Sequence, residues 1–340
     1  MEIYLHKIIE KITVMGYSRI LGIGNALVDI ITMLRDDRII RSLDLSKGSM
    51  TLVDRTMSDR IQVEIEDEKR ILVTGGSVAN AINGVANLGV PCGFLGKVGR
   101  DELGKLFEEE QINQGIQPLL IHSDLPTGRA VGLVEPDGER TFATYLGAAS
   151  EMHPEDITPE RLQGFDIFFI EGYLVFNHAL IMAAASAAKS AGLTIALDLS
   201  SYNVVEANRE ILNELVDDYV DIIFANEEES KAFTGMQPLE AVVNLAGRCD
   251  MAIVKIGRQG AYVQQGAIRH LIPAAGDLVV DTTGAGDFFA AGFLSGIAKG
   301  YNLEKSGKLG ALLASQVIRV PGAKLEEAEW TKIRKLENFL

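Results

Sequence analysis

Cysteine is nearly absent from this chain, with Cys92 and Cys249 the only two among 340 residues. Two thiols cannot build a disulfide framework or a four-thiolate zinc site, so both read as free, buried side chains in a reducing compartment. Histidine is also sparse. The five, His6, His122, His153, His178 and His270, are scattered with no pair at metal-ligand spacing, and no zinc site is expected. Positive charge is in deficit: 32 Lys and Arg stand against 47 Asp and Glu, a net charge of −15. That sign argues against a nucleic-acid or anionic-membrane partner, because attraction to a phosphate backbone needs the opposite one. A small phosphorylated ligand stays open, since it needs only a local pocket of amides or positive charge. No apolar run reaches the ~18 residues that cross a bilayer; residues 180–188 come nearest, and Lys189 ends them. Residues 1–11 carry Glu2 and Glu10 and have no long apolar centre, so no signal peptide is expected. The segment up to Tyr17 reads as a short extension, with Met15 available as an internal start, and the cytoplasm is the expected compartment. Internal repeats and low-complexity tracts are missing as well.

A hydrophobic content of 47% with 23% charge fits an ordinary globular core and excludes wholesale disorder. The length allows one large α/β domain or a domain with an appendage. Apolar β-branched runs alternate with longer Ala/Leu-rich segments. This pattern predicts strands at 20–23, 93–98, 167–170, 194–198, 222–225, 252–255 and, more weakly marked, 278–280. It predicts helices at 78–88, 103–114, 179–191, 210–215, 227–233 and 288–299. Strands separated by helices indicate βαβ units and a mostly parallel sheet covered on both faces. Residues 33–71 and 127–145 break the rhythm, being charged, weakly helical in period and dotted with short alternating strands. Segments 129–134 and 140–145 form a hairpin around a tight turn at Pro136-Asp137-Gly138. The expected organisation is a large α/β/α domain over 18–32, 72–126 and 146–340, and a small β-sheet from 33–71 and 127–145 that projects as a lid or a dimer contact.

Glycine marks three candidate phosphate loops. Gly22-Ile23-Gly24-Asn25-Ala26-Leu27 invites a dinucleotide fingerprint, but Leu27 holds the third glycine position, so a plain turn is the better reading. Gly99-Arg100-Asp101-Glu102-Leu103-Gly104-Lys105-Leu106 has P-loop spacing. Leu106 replaces the magnesium-holding Ser or Thr, however, and Asp101 and Glu102 would repel phosphate, so a turn opening a surface helix is expected. Asp281-Thr282-Thr283-Gly284-Ala285-Gly286-Asp287 is different, because it leads into an apolar helix. Small residues at a helix N-terminus leave open backbone N–H groups that bind anions. Asp287, held ionised by the helix dipole, is placed to take a proton from an attacking hydroxyl; capping alone would not ask for three small residues in a row. Ser77 and Ser295 lie in no Gly-x-Ser-x-Gly elbow, and Phe288 to Phe293 are most simply core.

The run 281–294 resembles the C-terminal motif of the PfkB family of carbohydrate and nucleoside kinases, which have the ribokinase-like fold. Gly75-Gly76-Ser77-Val78-Ala79-Asn80, continuing to Gly89 and Gly99, resembles its N-terminal motif. The likeness runs from about Ile20 to Ala323, with both motifs in the expected order. It implies that Asp287 is the general base and that the amides of Gly284, Ala285 and Gly286 receive the transferring phosphoryl group. It also implies that Asp29 holds two vicinal hydroxyls of the acceptor, with Gly76 and Asn80 lining the same site. Asn226-Glu227-Glu228-Glu229 is similar to the family's Asn-x-x-Glu element, which puts Asn226 and Glu229 near the phosphates and Mg²⁺, Glu229 acting through water. The alternative for that acidic run is a solvated helix start. Lys255-Ile256-Gly257-Arg258-Gln259-Gly260 resembles the nucleotide loop, placing Lys255, Gly257 and Gly260 at ATP. Arg140 either neutralises phosphate charge from the lid or makes a hairpin salt bridge. Some relatives bind a monovalent cation, K⁺, and the resemblance allows such a site near Asp281.

Local segments, among them Gly138-Glu139-Arg140-Thr141-Phe142, Tyr145-Leu146-Gly147-Ala148 and Glu171-Gly172-Tyr173-Leu174, are similar to the family's bacterial adenosine kinase group; Asp198 stands where many relatives carry Asn. The expected activity is therefore ATP- and Mg²⁺-dependent phosphorylation of a primary hydroxyl, most like the 5′-hydroxyl of adenosine. Phe142, Tyr145, Tyr173 and Phe176 are the candidates for a wall against the base. The alternatives are a sugar kinase of the ribokinase, fructokinase or 2-keto-3-deoxygluconate type, or a non-catalytic nucleoside sensor, against which Asp287 and the intact Gly-Ala-Gly run count. A monomer and a homodimer through the lid are both compatible with the chain.

Overall fold

Successive side chains of a strand point to opposite faces, and the first strand, β1 (Ile20–Ile23), shows the consequence: Ile20 enters one apolar core while Leu21 and Ile23 enter another. The computed structural model describes residues 18–45, 47, 50–135, 140–276 and 278–340, so the turn expected at 136–138 lies outside the described residues. The remaining strands are β2 (Leu27–Met33), β3 (Met50–Leu52), β4 (Arg70–Gly75), β5 (Cys92–Gly99), β6 (Gln117–Ser123), β7 (Gly128–Val134) and β8 (Arg140–Tyr145). After these come β9 (Ile167–Glu171), β10 (Thr194–Asp198), β11 (Ile222–Asn226), β12 (Met251–Lys255), β13 (Ala261–Gln265) and β14 (Ile268–Ile272). A nine-stranded sheet has the order β14-β13-β12-β11-β10-β9-β1-β5-β6. It is parallel from β12 to β6 and ends in an antiparallel ribbon, β12-β13-β14.

Helices cover both faces. On one lie Ser77–Asn87, Ala285–Ala298, Leu303–Val317 and Glu327–Glu337, packed around Val85, Phe288, Leu313 and Trp330; on the other, His178–Ser190, Arg209–Asp218, Glu227–Thr234 and Pro238–Ala246 are packed around Ile181, Leu212, Phe233 and Leu245. The expected three-layer α/β/α body is therefore present. Helix Ala285–Ala298 is buried nearly all round, and Phe288 stacks on Trp330 with ring centroids 5.8 Å apart. Each fully buried Phe stabilises the fold by about 1.5–3 kcal/mol relative to exposure, so the helix that presents Asp287 is anchored along its length.

The second sheet has the order β3-β8-β7-β2-β4. Its strands include Leu27–Met33 and Arg70–Gly75, so the sheet begins before residue 33 and continues past residue 71. The chain leaves the main sheet at Gly24, and β2 pairs with β7 and β4 instead of opening a helix, which rules out the dinucleotide fingerprint structurally. Two helices, Arg38–Ser42 and Arg55–Glu64, also lie in the stretch where only strands were expected. Their signal is faint because one row of residues, Met57, Ile61 and Ile65, faces the sheet while charge covers the rest. Asp54 caps the longer one by accepting from the Met57 N–H at 2.8 Å. The hairpin of β7 and β8 pairs as expected, from Arg129 with Tyr145 to Val134 with Arg140. Residues 278–280 are not a strand: Leu278 and Val280 are more than half exposed, and the Val280 and Asp281 N–H groups donate to the Ile318 carbonyl at 2.7 and 3.1 Å. The Gly99–Leu106 run opens helix Glu102–Asn113, where Asp101 takes the Gly104 N–H at 2.9 Å and so occupies an amide that a phosphate loop would need.

Candidate active site

Four parallel strands end in polar residues on the same edge of the main sheet: β9 in Glu171, β10 in Asp198, β11 in Asn226 and β12 in Lys255. Asp198 pairs with Glu171, and Asn226 with Lys255, in the strand register. In open α/β sheets ligands bind beyond these carboxyl ends, and a cleft of about 680 Å³ lies there, running from Ser77 and Asp287 past Lys255 to Phe289 and Ile318.

Asp287 stands in the first turn of helix Ala285–Ala298. Gly284 caps that helix at φ +77°, a left-handed conformation that a Cβ would strain. The Ala285 N–H donates to the Thr282 carbonyl at 3.1 Å, so the amide expected from Ala285 is engaged in closing the turn. Among the described residues, the N–H groups of Gly284, Gly286 and Asp287 have no partner. Asp287 accepts from Ser77 Oγ at 2.7 Å on one carboxylate oxygen and from Asn80 Nδ2 at 3.0 Å on the other. Burial pushes its pKa up to about 6, against the hydrogen bonds from Asn80 and Ser77 that favour the charged form. Those two donors favour the ionised form of the carboxylate.

Asp29 lies within β2, in the second sheet. Its carboxylate rests against the backbone of Gly75, where a Cβ would come within 2.4 Å of Oδ1. Burial, and then the charge of Asp287, push its pKa up to about 7. Among the described residues it accepts no hydrogen bond. Gly76, at φ +102°, sits directly on the Asn25 carbonyl, which a Cβ would approach to 2.2 Å. It accepts the Asn80 N–H at 2.8 Å, which fixes the residue that in turn holds Asp287. Glu171, unassigned from the sequence, is buried between Asn25 Nδ2 at 2.5 Å and the Val78 N–H at 3.3 Å, and burial raises its pKa to about 7. Ser77 and Asp198 were missed too. The available signal was a polar residue closing an apolar strand run, or opening the helix after it.

Farther along the cleft, Lys255 Nζ pairs with Asp198 Oδ2 at 3.1 Å, and both side chains are largely buried. Asp198 Oδ1 accepts the N–H of Ser200 at 2.8 Å. Asn226 and Glu229 form a reciprocal capping box: Glu229 accepts the Asn226 N–H and Nδ2, both at 2.7 Å, and returns its own N–H to Asn226 Oδ1 at 2.8 Å. Burial raises the Glu229 carboxyl to about 7 against the pull of Lys255. Gly257 and Gly260 line the cleft, but the space beside Gly260 is filled by the Ile272 carbonyl, 1.9 Å from where a Cβ would lie, so this glycine serves the β12–β13 turn first. Asp281 accepts from Thr283 N–H, Thr283 Oγ1 and Gly322 N–H at 3.0, 2.8 and 2.6 Å, pinning the turn to the C-terminal segment. The side chain of Arg140 lies outside the described residues. Of the aromatic candidates, Tyr145 faces the lid helices, over the Arg129 guanidinium at 5.8 Å; Phe142 shares the open face with Asp29; Tyr173 is half-buried and Phe176 is 56% exposed.

A buried carboxylate beside unpaired helix-terminal amides, lining a cleft of about 680 Å³, is equipment that suits a phosphotransferase acting on an alcohol. Residues 48–330 match the description "pfkB family carbohydrate kinase". An adenosine kinase from Sinorhizobium meliloti is 35% identical, with a TM-score of 0.84 over 94% of this chain and 100% of that one. A probable sugar kinase from Rhizobium etli CFN 42 is 33% identical, with a TM-score of 0.85 over 96% and 100%. A ribokinase from Arabidopsis thaliana is 29% identical over 289 residues, 78% of this chain and 73% of that protein. The chain belongs to the pfkB family of carbohydrate kinases, phosphotransferases that use ATP with a divalent metal, and has their ribokinase-like fold. No helix among the described residues is long and apolar enough to cross a membrane.

Proposed function

We propose that the chain transfers the γ-phosphoryl group of ATP to the 5′-hydroxyl of adenosine. The observation that carries this reading is the pairing of two unlike carboxylates: Asp287, held by Ser77 and Asn80, and Asp29, which has both oxygens free to accept from a cis-diol. With the diol on Asp29, the primary hydroxyl lies toward Asp287, which takes its proton while the N–H groups of Gly284 and Gly286 face the phosphoryl oxygens. The apolar end of the cleft, with Val279, Phe289, Ala311, Ala314 and Ile318, suits the adenine of ATP, and its acidic and amide-lined end suits the phosphates. Phe142, Ile31 and the side-chain-free Gly132 offer the acceptor's base a flat apolar surface on the Asp29 face.

No cluster of three or more His, Cys, Asp or Glu side chains suited to a metal occurs among the described residues. A divalent ion would therefore be held chiefly by the nucleotide, with Asn226 and Glu229 reaching it through water because the capping box engages them. When bound it neutralises phosphate charge. A K⁺ site near Asp281 would have to share a carboxylate that already accepts several hydrogen bonds, and comparing activity in K⁺ and Na⁺ tests it. Met33, Met50, Leu52 and Ile71, each about half exposed, leave the open lid face free to close over the acceptor or to meet a second copy.

The test is ADP release with a panel of nucleosides and sugars. Adenosine is expected to have the highest kcat/KM, ahead of ribose and fructose by at least about tenfold, which needs ~1.4 kcal/mol of extra transition-state binding. Faster turnover of ribose, fructose or 2-keto-3-deoxygluconate overturns the acceptor and leaves the kinase. Adenosine binding with no ADP release for any acceptor points to a sensor.

A further inference from the structure

Lys255, which the family resemblance places at ATP, has no part in the transfer step described so far, although its largely buried side chain lines the cleft. Its ammonium lies 3.1 Å from the position a Cβ on Gly286 would take, beside the unpaired N–H of that residue. The same ammonium pairs with Asp198 Oδ2 at 3.1 Å. Asp198 is itself aimed: Ser200, at φ +65°, donates its N–H to Oδ1 at 2.8 Å, and its hydroxyl donates to the Asp198 carbonyl at 3.3 Å. A left-handed conformation is strained for a serine, and such strain clusters where a side chain must be held for function. Asp198, Ser200, Lys255 and Gly286 all line the cleft. A pair serving stability alone would not need a strained residue to orient it or an opening onto the phosphoryl site.

We propose that Lys255 is a catalytic cation that contacts the transferring phosphoryl group, and that Asp198 is its positioning residue. The inference rests on the kinase reading above and deepens it. In the step, the acceptor O–H gives its proton to Asp287 and the acceptor oxygen forms a bond to the γ-phosphorus. The bond from that phosphorus to the β–γ bridging oxygen breaks, and its electron pair leaves on ADP. Lys255 stays protonated throughout and donates an N–H to a phosphoryl oxygen, where charge is greatest in the transition state.

The experiment measures ADP affinity by calorimetry with Mg²⁺, with and without fluoroaluminate, in the presence of the best acceptor from the panel, together with kcat and KM. Lys255→Met is expected to lower kcat on the order of 10²-fold. It should also lose most of the affinity gained on adding fluoroaluminate, while ADP affinity and acceptor KM stay within about threefold, because ground-state contacts are unaltered. The double variant Asp198→Asn/Lys255→Gln keeps side-chain size and a mutual hydrogen bond, so it carries the test even where Lys255→Met does not fold. It is expected to remain as slow as the single variant. Recovery of the double variant to near the wild-type rate, or a fluoroaluminate gain retained in Lys255→Met, overturns the proposal in favour of a structural ion pair. A wild-type chain that binds ADP, gains nothing from fluoroaluminate and turns over no acceptor overturns the kinase reading, and this inference with it.

Discussion

The nine-stranded sheet is covered on both faces, so the polar residues at the ends of β9 to β12 project from a rigid body. Among the described residues, helices packed on Ile30, Val131 and Leu133 cover one face of the five-stranded sheet, and its other face carries Asp29 among half-exposed apolar side chains. The two aspartates differ accordingly. Asp287 is tied by hydrogen bonds from Ser77 and Asn80 and needs no ligand to complete it. Asp29 is raised by burial and, among the described residues, accepts no hydrogen bond, so under the proposed function the acceptor's diol supplies its donors. Under the proposed function, chemistry belongs to the sheet covered on both faces and acceptor recognition to the smaller sheet beside it.

Breaking the anchored half should cost most. Asp287→Asn keeps size and most hydrogen bonding but cannot accept the proton, so kcat should fall on the order of 10²–10⁴-fold with ATP affinity largely kept. Steady-state rates and nucleotide titration check this, and near-wild-type turnover would remove Asp287 from its role. Asp29→Ala leaves the diol unpaired, a loss of about 1–3 kcal/mol; kcat/KM for adenosine should fall roughly 10–10²-fold with the melting temperature unchanged or raised. An equal loss of ATP affinity would show that the two halves are not separate.

A smaller effect sharpens the comparison. If the lid closes on the acceptor, adenosine should slow hydrogen exchange in 33–71 and 127–145 together and leave the central strands of the main sheet unchanged. Identical exchange at saturating adenosine would favour a fixed contact surface. The smallest concerns pH. Asp29, Glu171 and Glu229 titrate near 7 and Asp287 near 6 when folded, above their values of 3.8 or 4.5 outside the fold. The folded chain thus binds more protons between those limits, and the stability of the ligand-free protein should fall as pH rises from about 4.5 to 7. Activity should run the other way, rising through about pH 6 as Asp287 ionises. Melting curves and rates from pH 5 to 8 check both, and stability that climbs over that range contradicts the raised carboxyls.

Much was readable in one dimension. The runs 167–170, 194–198 and 222–225 appear as strands β9, β10 and β11 because strands buried on both faces read as continuous apolar blocks. The glycines before Asp287 announced an open helix N-terminus for a similar local reason. The lid resisted, because its strands and its helix Arg55–Glu64 bury a single face and their periods are diluted by charge.

By itself the sequence determined the layered α/β body and the helix that carries Asp287, since each follows from neighbours within a few residues. Only the tertiary structure decided that β2 leaves the main sheet and carries Asp29 opposite Asp287. It alone decided that Ser77 and Asn80, some two hundred residues earlier, hold Asp287, and that Lys255 lies between Asp198 and Gly286. Those contacts join helix N-termini and strand ends that are distant in the chain and brought to one edge of the main sheet, and no local pattern of residues encodes which of them will meet.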